Sequence, residues 1–167
     1  NFLGKSLTSS RLTAFNAGFE ISSILRGWGR LYSNALFHAL AEPHIRRSRP
    51  RVGFASSWFC NSAIGRLYTG LLEKIDKTKY DIYVFHVREP SGRLKRDFFT
   101  DAIDQVSTAH VLPRDLSEAR AIIFKTSLDI LVFTDIGMEP FTYALAFSRF
   151  APIQCVFWGH PTTSGVP

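Results

Sequence analysis

The sequence predicts an α/β fold, a Rossmann-like parallel sheet with helices on both faces. Two observations carry this. From Arg51 onward, short β-rich runs alternate with apolar stripes at helical spacing. The 167 residues are 46% hydrophobic and 20% charged, which suits a packed core and excludes a disordered chain.

Residues 1–50 read as a helical linker arm. Ile21, Ile24, Leu25, Trp28, Leu31, Leu36 and Leu40 recur near helical spacing, and Pro43 and Ser48-Arg49-Pro50 end the pattern. Residues 51–167 read as the α/β lobe. Arg51–Ser56 is its first strand. Ile64, Leu67, Tyr68, Leu71, Leu72 and Ile75 form a helical stripe, and Tyr80–Val87 is the second strand. A helix is expected from Gly92 to Val106, then a brief strand at Ala109–Leu112. Asp115, with Glu118 three residues on, has capping-box spacing for the next helix. Asp129–Phe133 is a fourth strand and Pro140–Phe150 a helix. The apolar run Ile153–Trp158 reads as a fully buried fifth strand. Gly159 and Pro161 stop it, and a loop of hydroxyl residues follows. A first residue other than Met, and a polar loop at Pro167, predict a piece of a longer protein.

The net charge of +6 is unevenly placed. Residues 1–50 hold seven Lys/Arg against two Asp/Glu, whereas residues 51–167 hold thirteen against twelve. The compact part is nearly neutral, which argues against a nucleic-acid-binding role. Two cysteines 95 residues apart make neither a disulfide framework nor a zinc site. Cys155 is expected in the core and Cys60 in an accessible loop. A reducing cytoplasmic or nuclear setting is expected, with no metal, no cofactor and no membrane span.

In a parallel sheet, ligand sites form at the carboxyl ends of the strands. Three turns there carry candidate chemistry. In the first, Asn61 or Ser62 caps a helix or meets a sugar hydroxyl or phosphate. In the second, Asp135 and Met138 follow the fourth strand, and Asp135 accepts from hydroxyls or closes a local turn. In the third, Gly159, His160, Pro161, Thr162 and Thr163 form the last loop, with His160 placed for acid–base work or sugar binding. His110, on the third strand, reads as structural by itself. Strand one is expected beside strand four, with these turns sharing one edge. No glycine-rich dinucleotide fingerprint, Walker loop or nucleophile elbow occurs.

Several segments together resemble the O-GlcNAc transferase, or SPINDLY-like, glycosyltransferases. They are Arg51-Val52-Gly53-Phe54-Ala55-Ser56-Ser57, Phe59-Cys60-Asn61, Asp129-Ile130-Leu131-Val132, and Ala151-Pro152-Ile153-Gln154 through Trp158-Gly159-His160-Pro161 and Thr163-Ser164-Gly165. The resemblance covers Arg51 to the end. It implies the first lobe of a two-lobed, GT-B type enzyme. Such enzymes transfer a sugar, usually N-acetylglucosamine, from UDP to Ser or Thr of intracellular proteins, with inversion and without a metal. It also implies tetratricopeptide repeats before the arm and a second lobe after Pro167. That lobe would supply most of the uridine and diphosphate contacts. Asn61 matches the family's first turn, but Ser62 stands where a histidine is usual. His110 matches a second family histidine, and on this resemblance it joins His160 as a catalytic candidate. Asn61, Ser62, Asp135, Met138, Gly159, Pro161, Thr162 and Thr163 are the implied substrate contacts. The alternative is a non-catalytic sugar- or nucleotide-binding module, which Ser62 favours.

Overall fold

The structure is a computed structural model, and it describes residues 47–157 apart from Pro90, Gly92 and Lys95. The expected arm therefore lies outside the described residues except for its last four. Nine elements follow in order: β1 (Arg51–Ser56), α1 (Ala63–Lys74), β2 (Asp81–Val87), α2 (Phe98–Gln105), β3 (Thr108–Leu112), α3 (Leu116–Lys125), β4 (Ile130–Phe133), α4 (Pro140–Ala146) and β5 (Ile153–Val156). The five strands form one parallel sheet in the order β3-β2-β1-β4-β5. The expected neighbours β1 and β4 are hydrogen-bonded, with Ala55 opposite Phe133.

Period-two alternation along the strands builds two cores. On one face, Phe54, Ile82, Val84 and Val132 pack against Ile64, Tyr68 and Leu72 of α1 and Ile103 of α2. On the other, Ala55, Phe85, Leu112, Leu131 and Phe133 meet Ala119 and Ile123 of α3 and Phe141 and Leu145 of α4. Helices thus cover both faces. Gly53 allows this closeness on the α3 face, since a Cβ there would sit 2.6 Å from Leu128 Cδ1.

Each helix starts on a polar cap that occupies its orphaned N–H groups. Ser62 is extended and its hydroxyl accepts from Gly65 N at 3.0 Å. Asp97 accepts from Phe99 N and Thr100 N. Asp115 accepts from Glu118 N at 2.9 Å, at the spacing read from the sequence. Glu139 accepts from Phe141 N and Thr142 N, with Pro140 at the first helical position.

Four expectations are corrected. The helix expected from Gly92 begins only at Phe98, because Asp97 takes the cap. The helix from Pro140 stops at Ala146 rather than Phe150. The chain then turns, and the Gln154 side chain bridges Phe150 N and Ser148 O. The fifth strand is not fully buried. It is the edge of the described sheet, with Ile153 55% and Val156 41% exposed. An apolar run shows that a strand has a low-polarity neighbourhood but not which sides are covered. For the same reason the two thiols exchange places: Cys155, on that edge, is exposed, and Cys60 is buried.

Candidate functional site at the carboxyl edge

β1 leads to α1 on one face, and its neighbour β4 leads to α4 on the other. Two adjacent strands whose connections part in this way open a crevice at their carboxyl ends. Asp135 sits at this point, two residues past β4, with no exposed surface. Its Oδ2 accepts from Ser57 N at 2.8 Å, from the Ser56 hydroxyl at 3.2 Å and from the Thr142 hydroxyl at 3.4 Å. Its Oδ1 is buried with no partner. Burial pushes its pKa up to about 7, the Glu139 charge adds to this, and the bonds from Ser57 and Ser56 oppose it. Asp135 therefore ties the turn after β1 to the start of α4.

The rest of the first turn is held from two sides. Ser56 Oγ accepts from Trp58 N at 3.0 Å. The Ser62 hydroxyl donates to Trp58 O at 2.8 Å while capping α1. Its proton is therefore occupied, and only a lone pair remains for any ligand. Asn61 is exposed. Its backbone N–H donates to Asp97, and its side-chain oxygen accepts from Arg66 Nη2 at 2.9 Å. The Asn61 amide N–H₂ group is thus presented on a braced turn. Thr100 of α2 completes the brace by donating to Phe59 O at 2.8 Å. The Tyr68 hydroxyl donates to Phe157 O at 2.7 Å, joining α1 to the end of the β5 segment.

The structure ties the start of the first turn (Ser56, Ser57) to Asp135, while Asn61 and Ser62 lie further along that turn toward α1 and Met138 is exposed after Asp135. Gly159, His160, Pro161, Thr162 and Thr163 lie outside the described residues. His110 does not join this group. It lies within β3, opposite Phe85, on the α3 face. β3 is two strands from β1, about 10 Å in a sheet.

Sequence reasoning missed His86, Asp97, Asp104 and Thr100. His86, next to last in β2 and opposite Ser56, is buried and meets Asp104 Oδ1 at 2.7 Å through Nε2. Its ring stands edge-on to Phe59 at 5.7 Å. Burial lowers its pKa, with Asp104 opposing. A lone strand histidine carries no such signal in sequence. Asp97 did have one, an Asp just before the pair Phe98-Phe99. Among the described residues no group of three or more His, Cys, Asp or Glu could hold a metal, and no helix is long and apolar enough to cross a membrane.

No protein-family profile and no curated protein matches the chain. Among solved structures, a single-substitution mutant of the Thermobaculum terrenum O-GlcNAc transferase matches 87% of this chain with a TM-score of 0.68 and 23% sequence identity. The chain spans 28% of that structure's length. At this identity the likeness establishes the fold: a five-stranded, Rossmann-like parallel sheet of the kind found in a glycosyltransferase lobe.

Proposed function

We propose that this chain is the first lobe of a UDP-sugar-dependent protein O-glycosyltransferase that moves N-acetylglucosamine to Ser or Thr with inversion. The observation that carries the reading is the parting of the β1 and β4 connections, where buried Asp135 holds the turn after β1 and a braced Asn61 is exposed further along that turn. The fold likeness to an O-GlcNAc transferase supports it. In this reaction the acceptor oxygen bonds to the anomeric carbon, the bond to UDP breaks, and the hydroxyl proton goes to a base. Asn61 donates to a sugar hydroxyl. Asp135 acts mainly as a positioning residue, because Ser56, Ser57 and Thr142 already occupy one of its oxygens. His160 is the proposed base, and Gly159, Pro161, Thr162 and Thr163 are the proposed sugar contacts. His110 has no role at this edge. Alignment of the two reactants supplies much of the rate, while a second lobe stabilises the departing diphosphate.

The test is transfer of labelled sugar from UDP-N-acetylglucosamine to Ser/Thr peptides by the whole gene product that contains this chain. Asn61→Ala is expected to raise KM, and His160→Ala to lower kcat more than it lowers Tm. A folded product that neither binds the donor nor transfers the sugar defeats the proposal. Donor binding without transfer replaces it with a sugar-binding module.

A further inference from the structure

A cavity lies on the α3 face of the sheet, reaching from Arg51 at the start of β1 to His110 at the middle of β3. Its volume is about 410 Å³, within the range of small-molecule sites. Arg51 and His110 line it from β1 and β3, and Tyr83 of β2 lies between them. The Arg51 guanidinium carbon is 5.8 Å from the Tyr83 ring centre, and the His110 ring stacks on Tyr83 at 6.2 Å with 8° between the planes. His110 also stacks on Phe85 at 5.4 Å. Stacking therefore holds the nitrogens of Arg51 and His110 beside the Tyr83 ring.

Two of those nitrogens lack partners. Arg51 Nη1 donates to Thr126 O at 2.7 Å, but Arg51 Nε is buried without an acceptor. His110 Nε2 is likewise buried without a partner. Lys125 of α3 and the Thr108 side chain line the same cavity, and among the described residues no Asp or Glu does. The nearest carboxylates are engaged elsewhere. Asp129 accepts from Arg51 N and pairs with Arg47, and Asp81 pairs with Arg49. Buried N–H groups without acceptors are rare in folded proteins. Here a guanidinium N–H and an imidazole nitrogen, which donates in its protonated tautomer, share a cavity with an ammonium group and three hydroxyl-bearing side chains, Tyr83, Thr108 and Thr126. Guanidinium and ammonium can only donate, so the complement is an acceptor-rich anion.

We infer that this cavity is a binding site for an oxyanion, a phosphate or phosphate monoester, held by Arg51, His110 and Lys125, with Tyr83 and Ile122 covering any flat apolar body attached to it. The site is separate from the crevice and does not depend on the glycosyltransferase reading. It also gives His110, at the middle of β3, a role on the α3 face of the sheet.

The test is nuclear magnetic resonance of the isotope-labelled 167-residue chain, titrated with inorganic phosphate, phenyl phosphate and phenol at about 150 mM salt, where weak surface attraction is screened. Saturable shifts of the Arg51 Nε and His110 ring signals are expected with phenyl phosphate, at a Kd of about 1 mM or tighter. Phenol should bind at least roughly tenfold more weakly. Equal affinity for inorganic phosphate assigns the site to the free ion, and tighter phenyl phosphate binding assigns it to an organic phosphate. Both outcomes support the site. His110→Phe, which keeps the ring stack, and Lys125→Met, at the exposed rim, should each weaken binding roughly tenfold. No saturable shift in the parent chain, phenol binding as tightly as phenyl phosphate, or undiminished binding by both variants overturns the inference.

Discussion

Replacing Asp135 with Asn should make the chain more stable at pH 8 and remove a pH dependence expected of the parent. Folding raises the Asp135 pKa from an ordinary 3.8 to about 7, so between these values the folded state holds the proton more tightly. Its contribution is fully present below pH 3.8 and is lost as pH rises through 7. Each pH unit in that window is worth about 1.4 kcal/mol, so from pH 5 to pH 8 the parent should lose about 3 kcal/mol relative to the variant. For a chain of this size that is roughly 10 °C in Tm. Asn keeps one oxygen where Oδ2 now receives Ser57 N, so the turn retains its principal acceptor. Thermal melts of both proteins across pH 5–8 measure the difference curve. Other groups cancel in it, including His86, whose lowered pKa gives the opposite slope. Parallel curves for parent and variant would falsify the account of Asp135 as a buried carboxylate titrating near neutrality.

Gly65→Ala should lower stability by about 2 kcal/mol or more, because a Cβ there would lie 1.8 Å from Cys60 O. Gly70→Ala, one and a half turns further along α1 with nothing within 4 Å, should raise it by up to about 1 kcal/mol. Denaturant melts of the pair check both signs. Ser62→Ala should remove the α1 cap and reduce stability by about 1 kcal/mol; no change would mean that the hydroxyl is free for other work. A maleimide reagent should modify Cys155 in the native chain and reach Cys60 only after denaturation, which mass spectrometry of digested protein will show. Calorimetry of the 167-residue chain with UDP should show weak binding at most. An affinity near −8 kcal/mol, or about 1 μM, would place the nucleotide contacts in this lobe instead.

The fold was legible because two periodicities recur along the chain. Ile64, Tyr68 and Leu72 mark one helical face, and the strand alternation sorts Phe54 and Val84 from Ala55 and Phe85. The pairing of β1 with β4 was legible from the expected parting of their connections. Coverage was not. Cys155 sits in an apolar run and Cys60 in a polar turn, yet the position of β5 at the sheet edge leaves Cys155 reachable while Cys60 is buried. Helix starts were read well where a cap and its target stand three apart, as at Asp115. They were missed where the cap residue sits inside a longer polar stretch, as at Asp97.

The candidate site shows a sharper limit, and its origin is physical. Asn61, Ser62 and Asp135 were all read as polar residues at one edge, but residue type cannot say whether a donor or acceptor is already taken. Ser62 has its proton on Trp58 O, and Asp135 has one oxygen on three donors. In Asn61 the backbone N–H is held by Asp97 and the side-chain oxygen by Arg66, which leaves the amide N–H₂ as the group to offer a ligand. Those partners come from 36 residues away and from the first turns of α1. Local sequence therefore nominates the groups at a carboxyl edge, and long-range hydrogen bonding selects which remain free for a ligand. Asp97→Ala is the variant that separates the two. It leaves every candidate ligand contact in place while removing the acceptor for Asn61 N, along with the α2 cap. If the presentation of Asn61 matters, Asp97→Ala should raise the KM for donor in the whole gene product as Asn61→Ala does. A capping loss of about 1 kcal/mol should accompany this, and the Tm should recover in Asp97→Ser. Because serine offers a single oxygen where Asp97 uses two, KM should remain raised in Asp97→Ser. If KM recovers with Tm, bracing of Asn61 is only a matter of stability and its place in the site fails.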